Sequence, residues 1–196
     1  MDYLLLVGYW TVFYILHSLF ASTKLKRILK AKLEDRFKWY RLAYSFFSTL
    51  FFLGIMLHSI LIPSQKILNP VPILTYLGYV LAAFGTIISV KSSKQIRLKE
   101  FIGINPESQG ASLVTDGLYS YCRHPLYLGL LMIFLGYFMV STQLTALIHF
   151  ACLVIYLPFG IYFEEQNLRE IFGANYEKYQ TKVPMLFPAI FKKKRV

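Results

Sequence analysis

The sequence predicts an all-α integral membrane protein, and three observations carry that prediction. The 196-residue chain is 56% hydrophobic and only 16% charged, with a mean hydropathy of +0.49; a water-soluble domain of this length would carry more charge. Apolar runs at or near the roughly 20 helical residues needed to cross a bilayer fall at Tyr3–Phe20, Tyr40–Ile62, Val71–Val90, Pro125–Val140 and Thr142–Phe163. The cations between them are grouped. Of the 21 Lys and Arg, all but Lys66 lie in three segments, Ser22–Arg41, Lys91–His124 and Glu164–Val196, which about five alternating spans would place on one side.

The first run is preceded by Asp2 and followed by the lysine cluster, the reverse of a cleaved leader. It is expected to be a retained helix with Met1 outside. After it, Leu25, Ile28, Leu29, Leu33 and Phe37 recur at helical spacing among Lys24, Lys26, Arg27, Lys30 and Lys32. That pattern predicts an amphipathic helix lying in the membrane interface. The second and third runs are joined by Pro63–Pro72, a proline-rich turn on the outer side. The connection Lys91–His124 is long, and connections of that length are more often functional than merely linking. Its apolar residues Phe101, Ile102, Ile104, Leu113 and Val114 argue against disorder. The fourth and fifth runs meet at Ser141-Thr142 and should form a tight hairpin. Beyond them, Leu168, Ile171, Phe172, Tyr176 and Tyr179 share a helical face interrupted by Gly173. Pro184 and Pro188 end regular structure, and Lys192–Arg195 form a basic tail.

The positive-inside rule assigns the basic side to the cytoplasm, leaving the N-terminus outside and the C-terminus inside. The net charge of +11 then reads as orientation and contact with anionic lipid headgroups, and nucleic acid is excluded as a partner. Cys122 is expected at the membrane surface and Cys152 within a span, so no disulfide framework is implied. No repeat or linker divides the chain. Residues 1–196 are read as one domain, with the spans and loop of 1–112 leading into a core over 113–188.

The chemistry concentrates in Gly117-Leu-Tyr-Ser-Tyr-Cys-Arg-His-Pro-Leu-Tyr-Leu-Gly129. Proline suits a helix's first turn, where its missing N–H leaves nothing unsatisfied. Pro125 therefore places Arg123 and His124 at the positive end of a helix, a favourable position for an anionic group. Because the hairpin returns to its starting side, Glu164 and Glu165 should lie beside them. Such a pair suits a zwitterionic ligand with hydroxyls, and equally an orienting Arg–Glu salt bridge. Tyr119 and Tyr127 fit an interfacial aromatic belt, and Gly129 fits either close helix packing or room for a cofactor. Among the histidines within spans, His58 and His149 read as satisfied neutral residues, and His17 faces the side of the site. No P-loop, GxGxxG, metal-ligand cluster or Ser-His-Asp set occurs.

Leu113-Val114-Thr-Asp-Gly117-Leu-Tyr119 leading into Arg123-His124-Pro125-Leu126-Tyr127-Leu-Gly129 resembles the superfamily of isoprenylcysteine carboxyl methyltransferases and phospholipid methyltransferases. So does Glu164-Glu165 followed by Phe172-Gly173, Tyr176, Tyr179, Val183-Pro184 and Pro188. The N-terminal motifs His17-Ser18-Leu-Phe-Ala21-Ser22, Tyr40-Arg41-Leu-Ala-Tyr44 and Glu100-Phe101-Ile-Gly103-Ile104 look like the methanethiol S-methyltransferase and NnrU-like branch. The resemblance implies a membrane methyltransferase using S-adenosyl-L-methionine, enclosed between the final hairpin and the C-terminal segment.

It further implies cofactor contacts from Leu113, Val114, Gly117, Tyr119, His124, Pro125, Leu126, Tyr127, Glu164 and Glu165, with Arg123 supporting the carboxylate end. Arg123 and His17 are the catalytic candidates. The carboxyl methyltransferases carry a substrate-binding arginine four positions before the cofactor glutamate, where this chain has Gly160. The expected acceptor is therefore small or lipophilic, with thiol sulfur as the nucleophile and a lipid amine, phenol or carboxylate as alternatives. Arg41 and Arg97 are the cations that could replace the missing one. An NADPH-dependent membrane reductase, whose C-terminal pattern is less like Glu164-Glu165, and a non-enzymatic NnrU-like factor are the rival readings.

Overall fold

The computed structural model describes residues 1–95 and 113–188. Arg97, Glu100–Ile104 and the tail Lys192–Arg195 lie outside the described residues. Helix α1 (Asp2–Ala21) ends at Ser22, whose hydroxyl then accepts the Leu25 N–H at 3.3 Å as N-cap of α2 (Thr23–Leu33). The amphipathic pattern thus forms a helix, shorter than its apolar periodicity, because Glu34 takes a positive φ of 44° and the chain tightens into a 3₁₀ helix over Glu34–Trp39. Helices α3 (Tyr40–Leu61) and α4 (Pro72–Gln95) follow. A 3₁₀ turn over Gly117–Ser120 leads into α5 (Pro125–Ser141), α6 (Leu144–Phe172) and α7 (Ala174–Lys182). Among the described residues no strand forms beyond a single antiparallel bridge, Lys66 with Gln143.

Four of these helices are long and apolar enough to cross a membrane: α1, α3 over Leu42–Leu61, α4 and α6. The fourth predicted run, α5, is apolar but has 17 residues, which at 1.5 Å per residue is about 26 Å. The predicted hairpin joins it to α6 through Thr142 and Gln143 alone. Thr142 has a left-handed φ of 56° and its N–H returns to the Phe138 carbonyl at 2.8 Å. The 63–67 connection closes over this hairpin. Ile67 N–H donates to the Thr142 carbonyl at 2.9 Å, Leu144 N–H to the Gln65 carbonyl at 2.9 Å, and Thr145 N–H to the Ser64 hydroxyl at 3.1 Å. These bonds tie one end of the bundle together and leave the other to form the site.

The principal core lies where α1, α3, α5 and α6 meet, around Leu6, Trp10, Ile55, Phe134, Leu153, Leu157 and Ile161. Trp10 is its centre, donating its indole N–H to His149 Nδ1 at 2.8 Å and meeting Phe134 edge-on. Helix α5 packs most intimately against α4, more closely than against its hairpin partner α6. The reason is a seam of small residues. Gly78 and Gly85 on α4 face Gly136 and Gly129 on α5, and an added Cβ at Gly85 would lie 2.6 Å from the Gly129 carbonyl. Gly129 therefore serves helix packing: a Cβ there would collide with the Ser89 hydroxyl. In lipid, where apolar burial between helices gains little, such close backbone approach drives association.

Candidate functional site

At the open end, Gln95 finishes α4 and its amide Oε1 accepts the Leu118 N–H at 3.3 Å. Gly117 begins that turn with a φ of 57°, and a Cβ on it would strike the Gln95 amide. Only glycine meets both demands cheaply. The turn buries Tyr119, whose carbonyl accepts the Tyr179 hydroxyl at 2.6 Å. Leu113 and Val114 lie half-buried in the segment entering the turn.

From the turn the chain runs Cys122-Arg123-His124 into α5, with Pro125 at its first position. The backbone here is paired with the C-terminal segment. Arg123 N–H donates to the Pro184 carbonyl at 2.9 Å and His124 N–H to the Met185 carbonyl at 3.1 Å. The Arg123 side chain continues the same attachment. Its Nε and one terminal nitrogen hold Glu165 Oε1 at 2.9 and 2.7 Å. The other terminal nitrogen donates to the Val183 carbonyl at 2.6 Å and the Gln180 carbonyl at 3.2 Å. Those carbonyls end α7 and would otherwise lack partners, so the guanidinium caps that helix.

Glu165 is correspondingly saturated. Its Oε1 also receives His124 Nε2 at 3.1 Å, and its Oε2 receives the Gln180 side-chain amide at 2.8 Å, with an Arg169 terminal nitrogen 3.9 Å away. Arg123 and Glu165 are each 11% exposed in their side chains. The glutamate one residue earlier is different. The Glu164 side chain is 42% exposed and has the His124 Nδ1 3.6 Å from its Oε2. The adjacent pair thus divides into an inward carboxylate that locks the fold and an outward, partly exposed one.

His124, nearly fully buried, sits between them. Burial disfavours the charged imidazole, but the carboxylates of Glu164 and Glu165 outweigh it, and its pKa is raised above the ordinary value. In the charged form both ring nitrogens donate, one toward each glutamate. Its ring stacks on Tyr127 with centroids 5.6 Å apart. His124 offers α5 no side-chain cap, so the first-turn N–H groups of Leu126 and Tyr127 find no acceptor within the helix. Tyr176 is buried beside the glutamates, with Glu165 within reach of its hydroxyl.

Open helix N–H groups and an outward carboxylate make a donor and acceptor set that fits an amino-acid nucleoside such as S-adenosylmethionine. The carboxylate end has N–H donors available, and the ammonium or ribose hydroxyls have Glu164. Among the described residues no group of His, Cys, Asp and Glu could hold a metal.

His17 is placed on the α1 face toward α3, with its Nδ1 2.8 Å from the Tyr44 hydroxyl. The two line a cavity of about 340 Å³ with Phe13, Phe20, Tyr40 and Phe51. Two participants had no prominent signal in the sequence. Gln180, in the polar helix α7, bridges Glu165 and Arg169, whose Nε lies 3.2 Å from its amide oxygen. Tyr156 lies two helical turns before Glu164, and only the intervening Gly160, one turn from each, hints at its placement.

Known proteins share this region. The methanethiol S-methyltransferase of Crocosphaera subtropica is 34% identical over 124 residues, 59% of this chain and 48% of that protein. Methanethiol S-methyltransferase 2 of Bradyrhizobium diazoefficiens is 37% identical over 91 residues, 45% of this chain and 34% of its own. The protein-S-isoprenylcysteine O-methyltransferase of Schizosaccharomyces pombe is 41% identical over 80 residues, 40% of this chain and 34% of its own. The chain thus spans half or less of the length of these relatives. No solved structure matches. The phospholipid methyltransferase family matches residues 73–175, from α4 through the Gly117 turn and the α5–α6 hairpin into α7. That is more than half of the chain and contains Arg123, His124, Glu164 and Glu165, and the protein belongs to the phospholipid methyltransferase family.

Proposed function

We propose that the protein is an integral membrane methyltransferase that uses S-adenosyl-L-methionine at its cytoplasmic face and methylates a small or lipophilic thiol. The observation that carries this reading is the division of labour between the two glutamates. Glu165 is consumed by Arg123, His124 and Gln180, whereas Glu164, in contact with His124 and Tyr127, keeps 42% of its side chain exposed beside a helix N-terminus. When bound, S-adenosylmethionine supplies an electrophilic methyl group on a sulfonium. The chain's own residues then have binding and orienting work. Glu164, oriented by His124, holds the ammonium or ribose hydroxyls, and the open N–H groups of the α5 first turn hold the carboxylate. Leu113, Val114, Tyr119 and Tyr127 enclose the rest and exclude water. Arg123 and Glu165 position these groups without touching the cofactor.

The acceptor needs to approach in line and lose its proton. A cysteine thiol has an ordinary pKa of about 8.5, and a simple alkanethiol, though a weaker acid than that, is far more acidic than an alcohol. An acceptor thiol would lose its proton to water as it takes the methyl group that the bound donor would supply. The relatives named methanethiol S-methyltransferase support sulfur as nucleophile, and Gly160 supports it independently by offering no cation to a carboxylate. The relative named for isoprenylcysteine O-methylation makes carboxylate the second reading.

Calorimetry on the detergent-solubilised protein with S-adenosylhomocysteine and with NADPH tests the cofactor. Binding of the former alone is expected, and binding of NADPH alone would overturn the reading in favour of a reductase. Initial rates with methanethiol and with a prenylcysteine then test the acceptor, with faster methylation of the thiol expected.

A further inference from the structure

A groove of about 740 Å³ runs along the outside of the bundle between α1 and α6, walled by Trp10, Tyr14, Ser18, Cys152, Phe159 and Phe163 among others. Tyr156 also lines it, on the same helix as Glu164 and two turns before it. Tyr156, Gly160 and Glu164 occupy successive turns of one face of α6, since residues four apart lie above one another on a helix.

Three contacts fix the Tyr156 ring. It stacks on Tyr14 of α1, with centroids 4.0 Å apart and planes 7° from parallel. Its hydroxyl lies 2.9 Å from the Ser18 hydroxyl, also on α1. It leans over Gly160, where an added Cβ would lie 2.9 Å from two ring carbons. The absence of a side chain at position 160 therefore does more than remove a cation: it makes room for an aromatic ring. The stack and the hydroxyl pair then bridge α6 to α1 across the inner wall of the groove.

We propose that Tyr156, stacked on Tyr14, latched to Ser18 and accommodated by Gly160, is the specificity-determining residue of the acceptor side: it closes the groove toward Glu164 and sets an upper limit on acceptor size. This rests on the methyltransferase reading above. With the ring in place, a short thiol reaches the transferable methyl and a long or branched one must displace an aromatic stack. Such stacks add to what the rings gain by burial, enough for a preference and not for absolute exclusion.

The test compares kcat/KM for methanethiol and 1-octanethiol in the full-length protein, alongside S-adenosylhomocysteine affinity by calorimetry. Wild type is expected to favour methanethiol. Tyr156→Ala is expected to shift the ratio toward octanethiol at least tenfold, through KM for the long thiol, with cofactor affinity unchanged. Ser18→Ala and Tyr156→Phe remove the latch and keep the stack, so a smaller shift of the same sign, about threefold, is expected; they stand in if Tyr156→Ala does not fold. A ratio unchanged in every folded variant, with methanethiol turnover intact, overturns the gate and leaves the function standing. A wild-type protein that binds S-adenosylhomocysteine but methylates neither thiol overturns both.

Discussion

Glu164 and Glu165 are chemically identical neighbours with opposite environments, because successive helical residues point about 100° apart. Removing Glu165 would strand Arg123 and His124 in a buried site, and breaking a buried pair costs about 3–5 kcal/mol. Glu165→Ala is therefore expected to lower the unfolding temperature in detergent markedly and to loosen α7, which Arg123 caps. Glu164→Ala, at a half-exposed carboxylate, is expected to leave that temperature nearly unchanged while weakening S-adenosylhomocysteine about ten- to hundredfold, the loss of one charged hydrogen bond worth roughly 1.5–3 kcal/mol. Thermal unfolding and calorimetry on the two variants separate the roles. Equal cofactor affinity in wild type and Glu164→Ala would return the pair to an orienting salt bridge.

Among the elements, the α4–α5 seam has the sharpest steric definition. A Cβ at position 136 would lie 2.5 Å from the Gly78 carbonyl and 2.9 Å from Ala82 N, so Gly136→Ala forces two backbones apart. Overpacking of this kind costs about 1–3 kcal/mol. Gly54, on α3, has nothing within 4 Å of an added Cβ, and Gly54→Ala should be neutral or slightly stabilising, since alanine loses less entropy in a helix. Unfolding temperatures of the two variants are the check, and similar losses in both would remove the seam as the cause. The consequence reaches the site, because Gln95, at the end of α4, holds the Gly117 turn. Displacing α4 from α5 is expected to displace that turn from His124.

For the whole molecule, we propose an odd number of spans, which would put the 63–71 connection and α7 on opposite sides of the membrane, with nearly all the Lys and Arg on the side of α7. Single cysteines introduced at Asn69 and Lys178, both exposed, in a chain with Cys122 and Cys152 replaced, should react with an impermeant maleimide from opposite faces. Labelling of both from one face would show that α5 or another apolar run does not cross.

The sequence by itself determined the helices, their apolar character, the two-residue hairpin and the meeting of Arg123-His124 with Glu164-Glu165. Hydropathy, helical period and turn chemistry are properties of neighbouring residues, and a hairpin that returns to its origin fixes which ends meet. The partnering within that meeting was decided only in three dimensions. Arg123 and Glu165 are 42 residues apart, and nothing local distinguishes Glu165 from Glu164 or shows that Gln180 and the α7 carbonyls will consume the guanidinium. The same holds for α5, whose tightest partner is α4 across a long connection because Gly85 and Gly129 permit backbone contact. It holds also for Tyr156, which had no motif of its own. Its ring is held where it is because position 160 lacks a side chain and α1 brings Tyr14 and Ser18 alongside, and such close approaches belong to the packed bundle and not to any single stretch of chain.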